Sequence, residues 1–256
     1  MHKYIIGMKF SSLLIISILC LYAASLYAKN RVDIVAENAP AVVAVNVLKD
    51  DGTTFTGTGF VLTPDGVIAT TRHHLDHAAA VNLTFNTGAV SGQAITLSAD
   101  EKTDIALLKI AARDLPTVQL ADSDYVLPGQ DITVIGNPRR LQNTVSSGLI
   151  SQVRKQTDGT LWHQISAPIS PSSSGSPVFN EDGQVIAMAF ATYPGDGNQN
   201  LNFAIPSNYI SQQLQQAGYP ASAFIAQPTP PTLWERFVQH VKLSWQSLCN
   251  LFTAQR

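Results

Sequence analysis

The sequence predicts an all-β fold: two packed antiparallel barrels of six strands each, followed by a C-terminal amphipathic helix. Three observations carry that expectation. A dozen short runs rich in Val, Ile, Leu and Thr recur between Ala41 and Ile205, each of strand length. Asp-Gly, Pro-Asp-Gly, Thr-Gly and Leu-Pro turns punctuate them. Between consecutive runs there is no room for the crossover helices that a parallel sheet requires.

The chain opens with Lys3 and Lys9 ahead of an uncharged run from Phe10 to Ala28. A positive segment before such a run is export-signal chemistry, because the apolar part enters a bilayer while the lysines stay on the cytoplasmic side. Residues 1–28 therefore read as a signal peptide cut near Ser25 or Ala28, or as a retained anchor of near-spanning length. Cys20 follows Ile18 and Leu19 rather than two small residues, which argues against lipid attachment there. Cleavage would leave Cys249 alone, so no disulfide within the exported chain is expected, and a domain of this size does not need one.

The domain body is expected over residues 35–220, with the boundary between barrels near 115–130. The first set of strands is Ala41 to Leu48, Thr58 to Leu62, Val67 to Thr70, Ala80 to Phe85, Ala94 to Leu97 and Asp104 to Ile110. The second is Asp131 to Ile135, Asn143 to Val153, Leu161 to Ile165, Ser176 to Phe179, Val185 to Phe190 and Leu201 to Ile205. Only short helices interrupt them, one starting near Ala36 and one from Pro206 to about Ala217, closed by Gly218. Gln212, Gln213, Gln215 and Gln216 read as the solvated face of the latter, and Trp162 as packing between the barrels.

Residues 226–232 form a stiff, proline-rich linker. Over 233–254, Trp234, Phe237, Val238, Val241, Trp245, Leu248 and Phe252 recur at three- and four-residue steps, which predicts a helix with one apolar stripe. That stripe could dock on the domain itself, on a partner subunit or on a membrane surface. With only Arg236, His240 and Lys242 on its basic side, the membrane signal is weak.

Composition removes several function classes. Sixteen Lys plus Arg against 18 Asp plus Glu give a net charge of -2, with no basic field for nucleic acid. Gly57-Thr-Gly59 lacks the third glycine of a dinucleotide fingerprint, so no cofactor is expected. His73, His74 and His77 crowd behind one strand, but without the glutamate of H-E-x-x-H they do not make the familiar zinc arrangement.

A different chemistry fits these residues better. A single histidine can act as a base when a serine lies within hydrogen-bond reach and an acid stands behind it. Asp104 sits where a charged turn meets an apolar strand, so its carboxylate could be partly shielded and hold one tautomer of a histidine. Ser170 to Pro177 is a tight loop pinned between apolar strands, the setting in which Ser174 could be presented beside convergent backbone N–H groups. In chain order these make His, Asp, Ser, the order of a trypsin-like triad.

At this point a family resemblance emerges. Gly57-Thr-Gly-Phe-Val-Leu-Thr-Pro-Asp-Gly-Val-Ile-Ala-Thr-Thr-Arg-His-His-Leu-Asp76, Thr103 to Ile110, Val134-Ile-Gly-Asn-Pro138, Val145 to Ser151, Ser170 to Val178 and Asn202 to Ser207 resemble the protease domain of the HtrA or Deg serine proteases, in collinear order. The resemblance implies the chymotrypsin fold, with His73, Asp104 and Ser174 as catalytic residues and the backbone N–H groups of Ser172 and Ser174 as the oxyanion hole. It also implies envelope or organelle endopeptidases, usually trimeric, that cut unfolded chains. For this chain the expected location is the periplasm or cell envelope, with inner-membrane anchoring if residues 1–28 are retained. The residues after Ser207 are too few for the PDZ domains such proteins commonly carry. A primary pocket lined by Ala167, Ile169, Met188, Ala189 and Phe190 has no acid, which points to a small or medium apolar residue before the cut.

The departures cluster at the loop. The family pattern N-P-G-N-S-G-G-P becomes Ser170-Pro-Ser-Ser-Ser-Gly-Ser-Pro177, so Ser172 and Ser176 stand where glycines are usual. Serine tolerates positive φ less readily than glycine, by about 1 kcal/mol. His74 replaces a small apolar residue and would compete for Asp104 or lie outward. Two readings follow: a working endopeptidase, or a protease-like binding protein whose oxyanion loop is compromised.

Overall fold

Asn30 starts the first helix. Its side chain accepts the Asp33 N–H at 2.9 Å and caps α1 (Arg31–Asn38), which begins five residues ahead of the expected start near Ala36 and buries Ile34. In this computed structural model the described residues are 29–85, 87–89, 91–137, 144–170, 172–192 and 201–220. The expected leader at 1–28, the linker at 226–232 and the amphipathic helix at 233–254 lie outside them. Among the described residues no helix is long and apolar enough to cross a membrane.

Six antiparallel strands follow: β1 (Val42–Lys49), β2 (Thr54–Val61), β3 (Val67–Thr71), β4 (Ala78–Thr84), β5 (Ile95–Asp100) and β6 (Ile105–Lys109). They lie in the order β4-β1-β2-β3-β6-β5. This sheet is a half-barrel rather than the closed barrel expected, since β4 and β5 do not pair. The stretch ahead of β5 bridges the gap instead, with Ser91 N donating to Leu83 O at 2.8 Å and Ala94 N to Val81 O at 2.7 Å. Those bonds satisfy edge groups that a bare strand would leave open.

The second set does close. β7 (Asp131–Gly136), β8 (Thr144–Lys155), β9 (Leu161–Ile165), β10 (Pro177–Phe179), β11 (Val185–Thr192) and β12 (Asn202–Pro206) form a barrel in the order β10-β11-β12-β9-β8-β7. The architecture is thus all-β, with two six-stranded antiparallel units of the chymotrypsin type. α2 (Ser207–Gln216) ends at Gly218, whose φ is 89°, and lays Ile210 and Leu214 onto the core.

Two apolar clusters hold these units. One fills the barrel with Ile132, Val134, Ile150, Ile165, Val178 and small alanines. The other begins inside the first sheet at Phe60, Ile68 and Leu107, then crosses to Phe179, Val185, Met188 and Ile205 of the barrel and to α2. Burying each such large side chain is worth about 1.5–3 kcal/mol, so this second cluster fixes the two units against each other. Two side chains depart from expectation. Gln213 is buried and donates to Ile105 O at 3.3 Å instead of facing solvent. Trp162 packs on Phe190 and Phe203, ring centres 4.9 and 5.6 Å away, so it lies across one barrel rather than between the two units.

Candidate active site

A 3-10 turn over Arg72–Leu75 leaves the end of β3 and carries His73. Asp104 precedes β6, the strand next to β3, and has a φ of 54°, a left-handed value that Asp tolerates better than most residues. That backbone turns both its carbonyl and its carboxylate toward the histidine turn. Arg72 N donates to Asp104 O at 2.9 Å, His73 N to Oδ1 at 2.9 Å, and His73 Nδ1 lies 2.6 Å from Oδ2. An ionised carboxylate can only accept, so Nδ1 carries a proton, and in the neutral ring Nε2 then keeps its lone pair. Both side chains remain partly exposed, at 43% for His73 and 23% for Asp104.

His74 neither competes for Asp104 nor points outward. It is 1% exposed, packed 4.8 Å from Phe55 and edge-on to His73 at 4.6 Å, in space that exists because residue 57 is glycine. A Cβ on Gly57 would sit 2.2 Å from the ring. Burial, with the charge His73 carries when protonated and that of Lys49 adding to it, pulls the His74 pKa down to about 3, so it is neutral near pH 7. His77 stands apart, 80% exposed and 3.5 Å from Asp50. Among the described residues no group of three His, Cys, Asp or Glu could hold a metal ion.

Across the seam, the Ser174 loop is braced on both sides. Ser173 N donates to Ser170 O, Ser176 N to Ser173 O and Gly175 N to Ala189 O, at 2.9, 3.0 and 2.7 Å. Thr58 N, from β2, donates to Ser174 O at 3.0 Å. Gly175, at φ 88°, allows this approach, since a Cβ there would lie 1.9 Å from Thr58 O. Ser172 does take up the positive φ that glycine favours, at 76°. Among the described residues the N–H groups of Ser172 and Ser174 donate to nothing. Ser176 is fully buried against Gly136, where the lack of a Cβ makes room for its hydroxyl.

The Ser174 hydroxyl donates to Phe190 O at 3.0 Å, and among the described residues it makes no hydrogen bond to His73. Phe190 sits at a bulge, unpaired between Ala189 and Ala191 in the register of β11 with β12, which frees its carbonyl. Of the other expected pocket residues, Ile169 is half-buried beside the loop, whereas Ala167, Met188 and Ala189 are fully buried. Met188 belongs to the cluster between the two units. Sequence reasoning passed over Thr58. The signal was Gly57 and Gly59 inside a strand, a pattern that marks close approach of another backbone.

Residues 57–188 match the family described as trypsin-like peptidase domain. A protein of Chlamydia pneumoniae named probable periplasmic serine endoprotease DegP-like is 37% identical over 183 residues, covering 68% of this chain and 37% of that protein. The solved structure of the HtrA-type protease AlgW with tripeptide matches with a TM-score of 0.67 at 26% identity, over 74% of this chain and 65% of that one. The serine endoprotease from Yersinia pestis matches with a TM-score of 0.64 at 27% identity, over 72% and 65%. The chain spans little more than a third of the length of the first curated relatives it matches.

Proposed function

The chain belongs to the trypsin-like peptidase family, in its HtrA and DegP branch, and from that premise we propose that it is a serine endopeptidase using His73, Asp104 and Ser174. The observation that carries the proposal is the short contact from His73 Nδ1 to Asp104 Oδ2, which leaves Nε2 as the ring nitrogen available to act as a base. Ser174 turns from Phe190 O toward His73 and attacks a peptide carbonyl while Nε2 takes its proton. Asp104 stabilises the imidazolium, which then protonates the leaving amine. The N–H groups of Ser172 and Ser174 receive the oxyanion, each worth on the order of 3 kcal/mol when well placed. Water then hydrolyses the acyl-enzyme.

The proposed substrates are unfolded polypeptides of the periplasm or envelope, cut after small or medium apolar residues. Residues 35–220 act as the protease domain, in a homotrimer, with 1–28 as export signal or anchor and 233–254 as a contact to a subunit or membrane. A fluorophosphonate probe should label the protein, and Ser174→Ala should abolish both labelling and cleavage of denatured casein. The bond from Ser174 to Phe190 O favours a second reading, a binder of unfolded chains without catalysis. That reading requires casein binding that survives Ser174→Ala and no labelling, even with peptide present. Systematic cutting after Lys or Arg would overturn the proposed specificity.

A further inference from the structure

We infer that Thr58 is a positioning residue that holds the oxyanion side of the Ser174 loop from the opposite sheet. The inference rests on the peptidase reading above. Thr58 lies in β2 and is fully buried. Its Oγ1 donates to Ser172 O at 2.8 Å and accepts Asn137 N–H at 3.0 Å, while its backbone N–H reaches Ser174 O at 3.0 Å. Its own carbonyl accepts the Thr70 hydroxyl at 2.7 Å, which ties the clamp back to β3 just ahead of the His73 turn. One residue of the first sheet thus holds the carbonyls on either side of Ser173.

The hydroxyl has a fixed direction. A backbone N–H can only donate and a carbonyl can only accept, so Asn137 occupies a lone pair and the single proton goes to Ser172 O. Donors and acceptors aligned in this way polarise one another and strengthen the chain. The anchored residue is the strained one, since Ser172 holds a φ of 76° that a residue with a Cβ adopts reluctantly. With the carbonyl held and φ at that value, only rotation about ψ is left to turn the Ser172 N–H. Thr58 therefore supplies from outside the loop what a glycine at 172 would permit from within.

Three variants separate this role from simple packing. Thr58→Val keeps the branched shape and removes the hydroxyl; kcat on a denatured protein substrate should fall about tenfold or more with KM nearly unchanged, as expected for an interaction made in the transition state. Thr58→Ser restores the hydroxyl and should restore kcat. Adding Ser172→Gly to Thr58→Val should recover most of the loss, because glycine needs no clamp. Equal losses in the valine and serine variants, a change confined to KM, or no recovery with glycine would each overturn the inference. Should Thr58→Val not fold, Thr58→Cys, with its weaker donor, takes its place against Thr58→Ser. Fluorophosphonate labelling tells the two failures apart. A wild-type protein that is not labelled removes the peptidase reading and this inference with it. A labelled wild type whose Thr58→Val form is labelled equally fast removes only the role of Thr58.

Discussion

In the first sheet, His73 and Asp104 are joined by two hydrogen bonds, with a third from Arg72 N to Asp104 O; in the second barrel, the Ser174 hydroxyl donates to a carbonyl of its own barrel. The first half is set by local geometry, because β3 and β6 pair directly and each delivers one residue at its end. The second half meets the first through packing and, among other bonds, through the Thr58 clamp. In the proposed mechanism, engaging the base requires the Ser174 hydroxyl to leave Phe190 O by rotating between staggered wells. Substrate binding is a natural source for that step.

The largest effect should come from breaking the preassembled half. Asp104→Asn leaves the shape but offers Nδ1 an amide that can donate, which favours the wrong tautomer; kcat/KM should drop about 10⁴-fold with little change in melting temperature. A loss below about tenfold would mean that Asp104 does not orient the base.

Acid probes both halves at once, since each hides a neutral histidine. Burial lowers His163 in β9 to about 4, as it lowers His74 to about 3. Unfolded histidines bind protons near pH 6.5, so below that the unfolded chain takes up protons that the folded one refuses. This contribution to stability is complete above pH 6.5 and is lost as pH falls toward 4 and then 3. Each histidine accounts for about 1.4 kcal/mol per pH unit in the window where only the unfolded form titrates. Urea melts between pH 7 and 4.5 should show this slope, and His74→Leu or His163→Leu should each reduce it by about half. Identical slopes in all three proteins would refute the shared mechanism.

The smallest effect concerns the strained residue of the second half. Ser172→Gly relieves about 1 kcal/mol of left-handed strain, which raises the melting temperature by roughly 2–4 °C unless the greater freedom of the unfolded glycine cancels it. A fall in melting temperature would show that the clamp already offsets the strain.

Much of this was legible before any coordinates. Twelve strands showed themselves through short β-branched runs, and the order of His73, Asp104 and Ser174 followed from motifs that stand in line along the chain. What escaped depends on pairs distant in sequence. Gly57 announces a close approach but not that the neighbour is His74, and nothing near Thr58 says that residues 172 and 174 lie across from it. Local pattern also suggested a closed first barrel, because apolar runs count strands without saying whether the first and last will pair. Gln213 looked polar and therefore solvated, yet the helix turns it toward β6, where Ile105 offers a carbonyl.

At Gly175 the two sheets come close backbone to backbone, and this makes it a wedge site. A single methyl there would sit 1.9 Å from Thr58 O, on a backbone whose φ of 88° already disfavours any side chain. Gly175→Ala would therefore prise open the seam while every group that exchanges a proton or attacks a carbonyl stays chemically intact. Such a protein would hold a sound acid–base pair and a sound hydroxyl at the wrong separation, so that distance rather than chemistry becomes the variable.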